Sequence, residues 1–281
     1  MSEETNLKRY HLYHAEAKAI GGHIEQPLVR VIQQQAYANL PETGGYLSQR
    51  SEAFRVEEVL SYRSAYTQVA GNLDPKPGLG WSTLTTSVVE GLNILDVVTA
   101  DRVVAQVSSV HSLDGYVPSV SFLGTRFENL RIAGHPVKFH LDLDMLGDKP
   151  ADDRPYIGDA SLSERVRAQQ EAILRCGDLP AEIIARYTAQ DAPTDDTTTL
   201  NLSLATQVEG AYPGRTFGHM IDVPNFGKIY LATLKLEHSL FKESTPQKTL
   251  AELTMLDIHM GCIASGVVCA GSGIVNGMSQ P

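Results

Sequence analysis

The chain is 281 residues long, 42% hydrophobic and 20% charged, a composition that suits one large globular β domain or one domain carrying an insertion. Its formal net charge of −10, with acids and bases mixed along the chain, argues against a nucleic-acid partner, because phosphate binding needs concentrated Lys and Arg. The polar start MSEETNLKRYHLYH lacks an apolar leader, and no run approaches the roughly 18 apolar residues of a membrane span, so a cytoplasmic protein is expected.

Residues 1–9 read as a solvated tail, and 10–281 as a single β-rich domain. From Tyr10 to Ile24 small and apolar residues alternate loosely with polar ones, predicting a strand that ends at Gly21-Gly22. Leu28 to Ala38 fits either a strand or a short helix. Phe54, Val56, Val59 and Leu60 resume the β pattern, and Tyr62 to Val69 reads as a strand closed by a turn at Gly71-Asn72. Leu84 to Leu146 is the densest β stretch: Val, Ile, Leu, Phe and Thr predominate and turn residues recur at short intervals. Within it, Phe127 to Ile132 and Val137 to Leu143 read as a hairpin around Ala133-Gly134-His135-Pro136.

Residues 147–190 read as a helical insertion. Ser161 and Glu164 match a capping box, Gly177 marks the helix end, and Pro180 opens a second short helix through Tyr187. Segment 191–199 reads as an acidic, Thr-rich loop. Leu200 to Val208, Ile229 to Leu236 and Leu250 to His259 alternate again, while Phe217 to Phe226 reads as more loop than strand. Gly261 to Gly277 is rich in small residues that pack tightly or against a neighbouring backbone. The expected fold is therefore mainly β: an antiparallel sandwich, barrel or solenoid-like framework with a helical insertion. Cys176, Cys262 and Cys269 form no CxxC pattern and are expected to be buried free thiols.

Three segments, SVVEGLNILDVVTADRVVAQVSS (Ser87–Ser109), FENLRIAGHPV (Phe127–Val137) and LTMLDIHMGCIASG (Leu253–Gly266), give the chain a resemblance to the choice-of-anchor β domains of bacterial surface proteins. Ala133-Gly134-His135-Pro136-Val137 stands where such domains place a turn. The chain departs from them in lacking a signal peptide and in carrying the insertion. The resemblance implies a bacterial β fold of unassigned role and supplies no catalytic residues.

Two arrangements carry possible chemistry. His140-x-Asp142-x-Asp144, read as a strand, sets three polar side chains on one face, where a divalent metal can find carboxylate and imidazole ligands; the same alternation also marks the wet face of any half-buried strand. Asp257 and His259 repeat the pattern. In the loop Tyr212 to Asp222, His219 can act as a general base oriented by Asp222, with Arg215 binding an anion; equally, this is a structured loop whose His bonds the backbone. Tyr62-Arg63-Ser64-Ala65-Tyr66 and His11/His14 read as cross-strand pairs. Gly78-Leu79-Gly80 is no dinucleotide fingerprint, and GxSxG, P-loop, HExxH and EF-hand patterns are absent. The leading expectation is a non-enzymatic binding or self-assembling β protein, a homo-oligomer with a small-molecule or glycan ligand left open. The alternatives are a β-fold enzyme acting on a small polar substrate and a carbohydrate-binding protein.

Overall fold

Period-two alternation is realised as burial: along Ser64–Leu73 successive side chains switch between half-buried and buried until the strand's exposed end. The computed structural model describes residues 10–74, 76, 80–113, 115–150, 154–177, 179, 181, 184, 197–239, 248–262 and 264–280. The chain opens with β1 (Tyr10–Gln26), β2 (Arg30–Gln35) and β3 (Ala38–Asn39), then β4 (Gly45–Ser51), β5 (Phe54–Val56), β6 (Leu60–Tyr62) and β7 (Ser64–Leu73). Two long strands follow, β8 (Gly80–Ile94) and β9 (Val98–Ser112). The short strands β10 (Ser119–Ser121), β11 (Arg126–Glu128), β12 (Arg131–Ile132), β13 (His135–Pro136) and β14 (Lys138–Leu141) come next. Helix α1 (Ala160–Leu174) precedes β15 (Thr197–Ser203), β16 (Ala205–Glu209), β17 (Arg215–Phe217), β18 (Met220–Val223), β19 (Gly227–Ser239), β20 (Lys248–Gly261) and β21 (Ser265–Gln280).

These strands form an antiparallel sandwich with no closed barrel among the described residues. The first sheet runs β17-β18-β19-β20-β21-β1-β2, with β15 beside β19 and β3 beside β1. The second runs β13-β12-β9-β8-β6-β5, with β7 joining β8 to β4 and with β10 and β11 along β9. β14 and β16 form a third, two-stranded sheet. The two large sheets meet face to face where β1 and β21 cross β8 and β9. At that crossing the second sheet offers small hydroxyls, Thr85 and Ser87, both fully buried. Ser87 Oγ donates across the gap to Lys18 O at 2.9 Å. Opposite Thr85 stands Gly273, where an added Cβ would lie 2.6 Å from Thr85 Oγ1.

A crease runs across the first sheet. Leu231 pairs with Leu256 and Thr233 with Thr254; Leu256 pairs with Ala270 and Thr254 with Ser272; Ile20 pairs with Ala270 and Lys18 with Ser272. The residues between them, Ala232, Met255, Gly271 and Ala19, form a row outside this register. Ala232 has φ 46°, the left-handed region that costs a residue with a Cβ roughly 1–2 kcal/mol. Met255 and Leu256 are both buried, as are Ala19 and Ile20, so the in/out alternation restarts on each side of the crease.

Several expectations are corrected by the pairing. β1 does not stop at Gly21-Gly22 but continues to Gln26, because β21 pairs with it along its whole length. Gly71 and Asn72 lie inside β7, opposite Thr83 and Ser82, not in a turn. The ambiguous 28–38 segment holds a strand. Ala133-Gly134 does form a tight turn between Ile132 and His135, yet the chain after Val137 leaves that hairpin, and β14 pairs with β16. The helix cap is Asp159, whose carboxylate accepts from Leu162 N at 2.8 Å, in place of the expected Ser161/Glu164 box. Helix α1 ends at Leu174, before Gly177. The second helix expected at 180–187 falls largely outside the described residues, as does 191–196 of the loop expected at 191–199, whose last residues, Thr197 to Thr199, instead open β15. Segment 217–226 is a hairpin with β18 at its heart, not mainly loop. The cysteines are free as expected, but none is buried: Cys262 is exposed, and Cys176 and Cys269 are half-buried. Among the described residues no helix is long and apolar enough to cross a membrane.

One end of the sandwich encloses an aromatic cluster. His11 stacks on Trp81 with ring centroids 5.2 Å apart and tilts against His111 at 4.7 Å, with Tyr13 edge-on to His11. His111 is 0% and His11 7% exposed. Burial lowers the His11 pKa from 6.5 to about 4. Between those values the unfolded chain binds a proton that the folded chain refuses, so stability falls as pH drops from 6.5 towards 4. We expect urea denaturation to show this loss, at most about 3 kcal/mol, and His11→Phe to flatten the slope; an unchanged slope would discard the assignment. At the sheet crossing, Gly273→Ala is expected to destabilise by about 1–3 kcal/mol, and adding Thr85→Ala to recover part of it. Strictly additive effects would show that the two positions do not limit the sheet separation.

Candidate functional site

The edge of β19 is shared by two strands lying end to end. β15 pairs with its second half and β18 with its first, and the gap between them falls at Leu231 and Ala232. His219 sits at this gap. It occupies the two-residue turn Gly218-His219 that joins Phe217 to Met220, and its carbonyl accepts from Leu231 N at 3.1 Å. Gly218 has φ 61°, as the first central position of such a turn requires. His219 is 2% exposed.

Helix α1 lies over this turn. Ile173 packs so closely on Gly218 that an added Cβ would stand 2.6 Å from Ile173 Cγ1. Ile173 joins Phe217, Met220 and Tyr230 in a separate apolar cluster that holds the helix end down. Further along the helix, Gln169 grips the joint between β15 and β16: its Nε2 donates to Ser203 O and its Oε1 accepts from Ser203 N, both at 2.9 Å. Ser203 Oγ in turn donates to Leu231 O at 2.7 Å and accepts from Ala205 N. Helix, joint and turn are therefore one connected unit.

Between them is a cavity of about 320 Å³. Its apolar part is Met145, Ala168, Ala172 and Ala205; its polar part is Asp142, Arg165, Gln169, Thr206, Gln207 and His219. Four segments far apart in sequence contribute. Gln207 has φ 52° at an irregularity in the β14–β16 register, so backbone strain accompanies the site. On its other side His219 borders a second, more polar cavity of about 260 Å³ over the crease of the first sheet.

The residues singled out in sequence are placed unequally. His219 and Asp142 line the same cavity. Arg215 and Asp222 do not line it: they face each other across the β17–β18 pair. Arg215 Nη2 donates to Gly177 O at 2.7 Å, and its guanidinium lies 4.9 Å from the Phe217 ring centroid, so Arg215 ties down the chain after α1. The strand reading of His140-x-Asp142-x-Asp144 is corrected: β14 ends at Leu141, and Asp142 opens a turn in which its carboxylate accepts from Asp144 N at 3.2 Å. Among the described residues no group of three His, Cys, Asp or Glu side chains is placed to hold a metal ion. Asp257 and His259 do meet, His259 Nε2 lying 3.1 Å from Asp257 Oδ1 on the outer face. Sequence reasoning missed Arg165, Gln169, Thr206 and Gln207. Arg165 and Gln169 share a helix face with the small Ala168 and Ala172, which leaves room beside the sheet, while Thr206 and Gln207 lie on β16.

Gln169→Ala would leave the buried N–H and C=O of Ser203 without their side-chain partner. We expect a loss of about 1–3 kcal/mol and faster amide exchange along α1 relative to β8. Uniform exchange rates across both would refute the clamp.

The family described as "Domain of unknown function (DUF8256)" matches residues 11–237. The matched span includes every segment around the helix-covered cavity and stops before β20 and β21. No curated protein and no solved structure matches the chain.

Proposed function

We propose, from the premise that this chain belongs to the DUF8256 family, that it is a binding protein holding a small, partly apolar ligand between α1 and the sheet edge. The observation that carries this reading is the 320 Å³ cavity itself, with an apolar floor and a few polar groups of both charges converging from four segments. Its volume lies at the lower end of the range typical of small-molecule sites, roughly 300–1,000 Å³, and its mixture of lining is the usual one. Asp142 offers a carboxylate and Arg165 a guanidinium, and Gln169, Thr206 and His219 add further polar groups. A ligand with an apolar body and one or two polar ends fits that set.

Binding is favoured over catalysis because the expected His219–Asp222–Arg215 arrangement does not converge on this cavity. That Asp142 and His219 line one cavity supports a second reading, acid–base chemistry on the bound ligand. A thermal-shift screen of small polar and amphipathic metabolites separates the readings. We expect a hit that raises Tm, is lost in Ala168→Trp, which fills the cavity from the exposed helix face, and is weakened in Asp142→Asn. A hit insensitive to Ala168→Trp would refute the site. Turnover of the hit that Asp142→Asn abolishes while affinity persists would favour the enzyme reading.

A further inference from the structure

We propose that the cavity over the crease of the first sheet binds a small zwitterion of the amino-acid type, at a site separate from the helix-covered cavity. The hollow lies along the crease. Asp257 stands on one side of the unregistered row, and Glu252, Thr254, Thr233 and Lys235 stand on the other, around a hollow of about 260 Å³. That lies below the roughly 300–1,000 Å³ of drug-sized sites, and the ligand is correspondingly small.

The charges define its class. Lys18 from β1 and Glu252 from β20 face the hollow together with Lys235, which is ion-paired with Glu237, and Asp257, whose carboxylate also meets His259 Nε2. All four are half-buried, so their fields are screened less than on open surface. A simple anion would meet two carboxylates, and a simple cation two ammonium groups. A molecule bearing one charge of each sign can place both favourably, with Thr233 and Thr254 supplying neutral hydroxyl partners. No Phe, Tyr or Trp lines the hollow among the described residues, which removes the stacking platform a sugar would use.

The surroundings favour binding without covalent chemistry. Cys269 also lines the hollow, but burial first, and then the neighbouring Asp257 carboxylate, push its thiol up to about 12. A thiol so protonated is a poor nucleophile. Ala232, beneath the hollow, keeps its left-handed backbone as part of the crease, the kind of local strain that gathers at ligand sites.

The test is saturation-transfer NMR with free L-amino acids offered one at a time at millimolar concentration, each beside its uncharged N-acetyl amide. We expect at least one free amino acid to bind and its amide not to. Lys18→Gln and Glu252→Gln should each weaken binding by about tenfold or more. Ala168→Trp, which closes the other cavity, should leave it unchanged. Failure of every amino acid to bind, equal binding of the amide, or retention in both charge variants would overturn the proposal. Loss in Ala168→Trp would also overturn it and assign the signal to the helix-covered cavity. Thermal melts check folding, and Thr254→Val, close in shape, replaces any charge variant that does not fold.

Discussion

How closely β21 can approach β8 and β9 sets the geometry of the rest of the molecule. A sandwich of large side chains keeps its sheets about 10 Å apart. Here Gly273 faces Thr85, and Gly271 lies against Val103, with an ideal Cβ only 3.1 Å from Val103 Cγ1. The cross-sheet bond from Ser87 to Lys18 O can form only because the neighbouring positions are small. β21 also pairs with β1 on one side and β20 on the other. A strand carrying Gly266, Gly271, Gly273 and Gly277 thus joins β1 to β20 and faces the second sheet.

From that close contact the outer face follows. The unregistered row through Ala19, Gly271, Met255 and Ala232 crosses the first sheet, and alternation restarts beside it at Ala19–Ile20 and Met255–Leu256. The hollow lined by charges lies along it, and the break between β15 and β18 falls at its edge. His219 fills that break. Helix α1 then covers the same place from the other side, pinned by Ile173 on Gly218 and by Gln169 on Ser203. Both candidate sites share the His219 wall.

Much of the strand content was legible because side-chain alternation is a local property. Ser64–Val69, Thr233–Leu236 and Leu250–Met255 lie within strands whose burial alternates as their sequence does, whereas Tyr62 ends the separate strand β6 and Ile229–Ala232 is buried throughout. The glycines of the last segment were read correctly as a close-packing signal. Errors arose where a local turn signal met a distant partner. Gly21-Gly22 and Gly71-Asn72 read as turns, but β21 and β8 pair through them. His140-x-Asp142-x-Asp144 read as a strand face, but pairing with β16 ends one residue after His140. Of the site, His219 and Asp142 were visible as polar residues in suggestive settings. Their helical neighbours Arg165 and Gln169 were not, since nothing local marks a helix face that will cover a cavity.

The sequence by itself determined a mainly antiparallel β protein interrupted by a helix, without a concentrated basic surface, because composition and period-two patterning act over a few residues. Tertiary structure alone decided that β1 belongs beside β21, that the sheets stack as a sandwich, and that His219 and Asp142 share a cavity while Arg215 and Asp222 lie outside it. The reason is range. Residues 142 and 219 are brought together by pairings between β14 and β16 and between β18 and β19, and by a helix clamped across them. Each of those contacts depends on shape complementarity between segments that carry no record of one another in their local pattern.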